Sequence, residues 1–253
     1  MTMRAIMLAA GMGNRLSGSN PKAPPKCLLS FGGKTLLQHH IEKLRGLGVA
    51  GLSLVIGYKS DEILTELENL QALDFVQSIH NSDYERGSIL SLGCANDVLG
   101  WGEDILFMDA DVLYPEHFLS RLIQPEKKNC FLFDGDFTPG DEPVKICLRQ
   151  GEIVDFGKQV TEAHDAIGEW PGFLSLSANM AKALANIIGA YMERGEVDRP
   201  YEDALHDLIT QNEPGTFGTV DISGNPWIEI DFPEDELRAR SEILPRIEIL
   251  EKH

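Results

Sequence analysis

No acidic residue occurs in the first 41 positions of this chain, although the rest is strongly acidic; Glu42 is the first. The same stretch holds Arg4, Arg15, Lys22, Lys26 and Lys34. Its local charge is therefore +5, while the remaining 17 basic and 40 acidic residues leave −23 and the whole chain carries −18. Such a balance excludes polyanion binding over the general surface, so neither nucleic acid nor an anionic membrane is expected as a partner. A basic, glycine-containing terminus on an acidic protein suggests a site for a small, highly charged anion; an uneven composition arising by chance is the alternative. Cysteine is scarce. Cys27, Cys94, Cys130 and Cys147 are far apart and form no C-x-x-C pair, which excludes a zinc or disulfide framework and fits a reduced, cytoplasmic compartment. No run approaches the roughly 18 apolar residues of a membrane span. The opening MTMRAIMLAAGMG is too short and glycine-broken for a signal peptide. There is no H-E-x-x-H, no His–carboxylate arrangement, no internal repeat and no linker.

Apolar runs and turn residues alternate in the first half. Arg4–Ala10, Leu52–Ile56, Phe75-Val76 and Ile105–Met108 read as strands. Helices are expected from Leu36 behind a Thr35 cap, from Ser60 or Asp61, over Ser88–Leu99 and over Glu116–Ile123. This order predicts an α/β fold: a mostly parallel sheet with helices on both faces and ligands at the carboxyl ends of its strands. In the second half, Cys130–Phe133, Val144–Leu148, Ile153–Phe156, Phe173–Leu176, Phe217–Asp221 and Trp227–Ile230 read as strands, with Gln150-Gly151 as a hairpin turn. Helices follow at Ala178–Arg194, Glu202–Gln211 and Glu234–Ile243. We read one domain over 1–253, in two halves, 1–125 and 126–253.

Three motifs carry chemistry. Leu8-Ala-Ala-Gly11-Met-Gly13-Asn14-Arg15 follows a buried strand, and Pro25-Lys26 comes next. Glycines there let the backbone approach a phosphate, and Arg15 with Lys26 can neutralise it. A dinucleotide fingerprint is excluded: Leu16 stands at its third glycine and no ribose-binding acid follows about 20 residues on. A Walker loop is excluded because no Gly-Lys-Ser/Thr follows. The second motif, Asp109-Ala-Asp111, ends a buried strand with both carboxylates on one side. It fits a polar loop cap or a magnesium site, and the basic loop on the neighbouring strand favours metal. In the third, Trp227-Ile-Glu-Ile-Asp231, Glu229 and Asp231 share a face. Asp231 precedes Pro233 at a helix start, where it could also cap that helix.

With these motifs in register, the chain resembles the NTP-transferase family of Rossmann-like nucleotidyltransferases. It is most like the bacterial phosphocholine and 2-aminoethylphosphonate cytidylyltransferases. The residues that carry the resemblance are LAAGMGNRL (8–16), PPKCLLSFGGKTLLQHHIEKL (24–44), DAD (109–111), VKICLRQGEIVDFGKQV (144–160), GEWPGF (168–173), YEDALHDLI (201–209) and WIEID (227–231). The resemblance implies a Rossmann-like mixed sheet and a nucleotide site at Leu8, Ala9, Ala10, Gly11, Gly13, Asn14, Arg15, Lys26 and Asp109, with Gly87-Ser88 near the base. It implies Mg2+ on Asp111 and Asp231, and Lys26, Arg15, Lys145 and Lys158 as the catalytic cations. The acceptor would lie against Lys145, Glu169, Tyr201, Glu202 and Asp203. Strand lysines otherwise simply face water. The family's choline-selective members carry a doubled Asn where this chain has Gly87-Ser88, and a Trp in the segment that here reads Glu142-Pro143-Val144. Quaternary ammonium groups are recognised by aromatic cages, so only Trp170, Tyr201 and Trp227 remain to build one.

The reaction this implies is CMP transfer from CTP to a small phosphate or phosphonate acceptor, with pyrophosphate released. The acceptor oxygen is already anionic, so positioning and charge neutralisation suffice without a strong base. The alternatives are a sugar- or cyclitol-phosphate nucleotidyltransferase using another NTP, and a nucleotide-binding module without chemistry. The acids Asp136, Glu169, Glu202 and Asp203 would suit an amine on the acceptor, or form a solvated face. The sequence leaves monomer and homodimer open.

Overall fold

The computed structural model describes residues 2–18, 20, 22–124, 128–138, 140 and 142–252. Its strands, in chain order, are β1 (Met3–Ala9), β2 (Ser30–Phe31), β3 (Lys34–Thr35), β4 (Leu52–Ile56), β5 (Val76–His80), β6 (Asp104–Asp109) and β7 (Val112–Leu113). There follow β8 (Cys130–Phe133), β9 (Lys145–Arg149), β10 (Glu152–Gly157), β11 (Ala166–Glu169), β12 (Phe173–Leu176), β13 (Gly218–Asp221) and β14 (Ile228–Glu229). Among the described residues the main sheet has the order β13-β8-β12-β6-β1-β4-β5. Only β12 runs against its neighbours; the other pairings are parallel. This is the mostly parallel, helix-flanked α/β sheet the alternating pattern predicts.

Alternation along the central strands explains why they lie inside. Ile6, Ile105 and Phe107 enter one core; Ala5, Met7, Leu106 and Met108 enter the other. Both faces are apolar, so both are covered by helices. The helix Leu36–Gly46 shows how this is done. Thr35 caps it, its hydroxyl accepting from Gln38 N–H at 3.1 Å. Leu37, Ile41 and Leu44 are buried under the sheet, each contributing about 1.5–3 kcal/mol by leaving water.

Two features set up the site. First, β7 and β14 pair across more than a hundred residues: Glu229 sits opposite Val112, and Ile230 N–H donates to Asp111 C=O at 3.0 Å. This short ladder brings the third motif against the second. Secondly, β9–β11 form a separate three-stranded sheet joined to the main one where Asp134 and Glu169 exchange backbone hydrogen bonds of 2.9 and 2.8 Å. The halves 1–125 and 126–253 are not separate layers, because β8, β12 and β13 from the second complete the sheet begun by the first.

Several elements differ from expectation. Ser88–Leu99 is two helices, Ser88–Cys94 and Asn96–Leu99, broken at Ala95. β11 is not expected from its Ala-Ile-Gly-Glu, in which Ile167 is the one β-branched residue beside a glycine and no aromatic occurs; pairing with β9 recruits it. The last helix does not stop at Ile243. It widens into a π-turn at Ala239–Ile243, just before Pro245, whose missing N–H and ring do not fit a regular α-turn, and continues as Leu244–Leu250. Among the described residues no helix is long and apolar enough to cross a membrane. None of the four cysteines is in a disulfide.

Candidate active site

The glycine turn leaves β1 at the carboxyl edge of the sheet. Gly13 adopts φ 62°, and a side chain there would crowd Lys26, since its Cβ would lie 3.1 Å from the lysine's Cγ. Asn14 opens a helical turn, Asn14–Ser17, that carries Arg15; a 3₁₀ turn, Lys26–Leu28, presents Lys26. Leu8, Ala9, Gly11 and Gly13 line a cavity of about 90 Å³ with Lys26 and Asp111. Ala10 is buried, its carbonyl accepting from Tyr58 N–H at 3.0 Å.

The two basic residues meet the two predicted acids here. Lys26 Nζ donates to Asp111 Oδ2 at 2.9 Å and to Asp231 Oδ1 at 2.5 Å. Arg15 Nη2 donates to Asp231 Oδ2 at 2.8 Å, and Nη1 to Glu142 Oε2 at 2.6 Å. The guanidinium also lies over the Phe232 ring, 5.4 Å from its centroid. Burial opposes the Lys26 ammonium, but Asp111 and Asp231 outweigh it and hold its pKa above the ordinary lysine value. Asp231 does not cap the following helix. Asp235 does so, accepting from Phe232 N–H at 2.8 Å and Asp231 N–H at 3.1 Å.

A third acid belongs to the cluster. Asp111, Glu229 and Asp231 each place one carboxylate oxygen within 4.8 Å of the others. Burial, with repulsion from Asp111 and Asp231, pushes the Glu229 carboxyl well above the usual range. Three carboxylates this close need a cation among them, and Lys26 supplies part of that charge. The set also suits a hard divalent ion, which takes carboxylate oxygens and leaves positions for phosphate and water. Asp109 faces a different partner. Tyr201 Oη donates to its Oδ2 at 2.6 Å. Burial first, then Asp111, raises its pKa well above the carboxylate range.

The other expected residues are placed as follows. Gly87 lies against the 198–199 backbone, where a Cβ would collide with Asp198 and Arg199. Ser88 Oγ accepts from Tyr201 N–H at 3.0 Å, so Gly87 and Ser88 pin the segment that seats Tyr201 on Asp109. Lys145 is buried, and its ammonium donates to Lys158 C=O at 2.7 Å and Pro143 C=O at 3.3 Å, tying two loops together. Lys158 Nζ reaches Glu142 Oε2 at 3.3 Å. Asp203 pairs with Arg199. Glu202 has one carboxylate oxygen buried without a hydrogen-bond partner, and burial raises its pKa. Trp170 is not a pocket wall; it packs in the core against Phe107, Phe131 and Phe156 and donates to Phe173 C=O at 2.8 Å.

Beside the acid cluster opens a cavity of about 470 Å³ whose walls include Glu229, Asp231, Glu142, Glu169, Asp136 and Trp227. Trp227 is fixed by its indole N–H, which donates to Asp134 Oδ2 at 2.7 Å. Burial, then Asp134, pushes Glu169 up to about 7. Sequence reasoning missed Glu142 and Asp134 and left Glu229 unassigned. Alternation had put Glu229 on the face of Asp231. Nothing local marks Glu142, whose partner Arg15 is 127 positions away.

The family model that matches this chain, over residues 5–149, is the MobA-like NTP transferase domain. The chain belongs to this family. It is a nucleotidyltransferase. Among curated relatives, the CTP:phosphoglutamine cytidylyltransferase of Campylobacter jejuni is 26% identical over 92% of this chain and 97% of that protein. The 2-aminoethylphosphonate cytidylyltransferase of Lancefieldella rimae is 29% identical over 82% of this chain and 80% of that protein. Among solved structures, the inositol-1-phosphate CTP transferase from T. maritima superposes with a TM-score of 0.77 at 18% identity, covering 99% of this chain and 97% of that one. That likeness establishes the shared fold.

Proposed function

We propose that this nucleotidyltransferase moves CMP from CTP onto a small acceptor bearing a phosphate or phosphonate, and releases pyrophosphate. The observation that carries the reading is the convergence of Arg15, just after the glycine turn, and Lys26, from the 3₁₀ turn that follows, on Asp111 and Asp231 at one sheet edge. Cytosine is favoured because the two curated relatives above use CTP.

The acceptor's anionic oxygen attacks the α-phosphorus. The bond to the β-phosphate's bridging oxygen breaks, and pyrophosphate leaves with the electron pair. No proton needs removing from the acceptor. Arg15 and Lys26 lie where they can bind and neutralise the triphosphate, and the N–H groups of Gly11–Gly13 can cradle it. Lys158 reaches the same place from the acceptor side, with Lys145 holding its loop. Asp111, Asp231 and Glu229 fit Mg2+, which when bound supplies charge neutralisation and orientation of the phosphates. Lys26 would then exchange its carboxylates for phosphate oxygens.

The cavity beside the cluster takes the rest of the acceptor. Its wall carries seven acids against Arg238 and Arg246, an excess that suits an ammonium group, as on an aminophosphonate, while the shape of the pocket turns on Trp227 rather than Trp170. A screen of pyrophosphate release with each NTP against 2-aminoethylphosphonate, phosphocholine, phosphoglutamine and sugar or cyclitol phosphates tests this. Turnover with CTP and an amine-bearing acceptor is the expected result. Turnover only with another NTP and a neutral sugar phosphate would overturn it.

A further inference from the structure

Glu142 differs from the other acids of the site. It comes from the irregular segment before β9, its side chain is 62% exposed, and it lies outside the Asp111–Glu229–Asp231 group. One oxygen of its carboxylate, Oε2, receives both Arg15 Nη1 at 2.6 Å and Lys158 Nζ at 3.3 Å. These cations come from opposite halves of the chain and meet on that single oxygen. The same guanidinium holds Asp231 with its other nitrogen. An anionic oxygen clamped between an arginine and a lysine, next to the acid cluster, has the geometry of a bound phosphoryl oxygen.

Arg15 and the backbone that carries Lys158 are held in place without Glu142. Lys158 C=O accepts from Lys145 Nζ, and the chain just beyond is fixed by the Asp155 carboxylate, which accepts from Thr161 and Glu162 N–H at 2.6 and 3.0 Å. Arg15 keeps Asp231 and the Phe232 ring. Removing the Glu142 carboxylate therefore vacates the place between the two cations while Arg15 and the Lys158 backbone stay anchored.

We propose that Glu142 is a built-in competitor for the anion position between Arg15 and Lys158. Its carboxylate sits in the ligand-free enzyme where a phosphoryl oxygen sits during turnover, so it weakens the binding of nucleotide and of pyrophosphate and speeds product release. The inference rests on the reading of Arg15 and Lys158 as phosphate-binding groups. Exposed ion pairs are individually weak, so two of them set an effect of about three- to tenfold.

Calorimetric binding of magnesium pyrophosphate to the full chain tests the inference. E142Q should bind about three- to tenfold more tightly than the native chain, E142D should return towards native, and R15M and K158M should bind more weakly. The gap between E142Q and native should narrow as salt rises. Unchanged or weaker binding by E142Q, with R15M and K158M weakened, overturns this inference alone. A raised acceptor KM in E142Q with unaltered pyrophosphate binding makes Glu142 an acceptor ligand and also overturns it. If R15M and K158M both bind as the native chain does, the phosphate assignment itself fails.

Discussion

The two sides of the cleft use charge in opposite ways. On the glycine-turn side, Arg15, Lys26, Asp111, Glu229 and Asp231 are packed so that opposite charges touch and three acids crowd one cation. On the acceptor side, Lys145, Tyr201 and Asp203 are engaged with loops, a buried carboxyl and a neighbouring arginine. The cavity there has more acids than bases in its lining, and among the acids Glu169 is pushed up to about 7. In the proposed mechanism the first side exchanges partners when a charged ligand arrives, while the second holds its shape and Glu169 and Trp227 face what enters the cavity.

Removing an acid from the first side gives the largest expected effect. D111N should lower kcat by at least about 10³-fold in pyrophosphate release at saturating CTP and Mg2+, roughly 4 kcal/mol of transition-state stabilisation. Near-native turnover would erase the distinction between the sides. K26M should cost about 10²–10³-fold in kcat. It also leaves Asp111, Glu229 and Asp231 without their ammonium, so its melting temperature should fall and recover with Mg2+ by more than the native chain gains. Equal recovery in both proteins would place the ion elsewhere.

The smallest effect belongs to the acceptor side. Glu169 has a folded pKa of about 7 against an ordinary 4.5, caused by burial and then by Asp134. The native state therefore prefers it protonated. Its favourable contribution is complete below pH 4.5 and is lost as pH rises through 7, at most about 3 kcal/mol and less after solvent screening. E169Q should thus be more stable than native at pH 8 and indistinguishable at pH 4 by denaturant unfolding. A pH-independent difference would mean that Glu169 acts through packing alone.

Legibility followed the same division. The central strands and their carboxyl-edge loops could be read from local patterns, because a glycine turn after a buried strand and an Asp-x-Asp at a strand end each announce themselves; that Asp231 joins Lys26 and Asp111 followed only from the family resemblance. The acceptor side could not. Lys145 sits on a strand of the expected kind, but its contact with Lys158 C=O depends on how two loops fold back. Trp170 and Trp227 have similar local surroundings in sequence; only packing sends one into the core and the other to the cavity. Glu142 reaches Arg15 across tertiary structure, with no periodicity to mark it.

The most direct test is a crystal structure with Mn2+ in place of Mg2+ and CTP, read by anomalous scattering. The account predicts an ion peak among the carboxylates of Asp111, Asp231 and Glu229, with Lys26 moved onto phosphate oxygens. An ion bound elsewhere while Lys26 still bridges Asp111 and Asp231 beneath the nucleotide would contradict it.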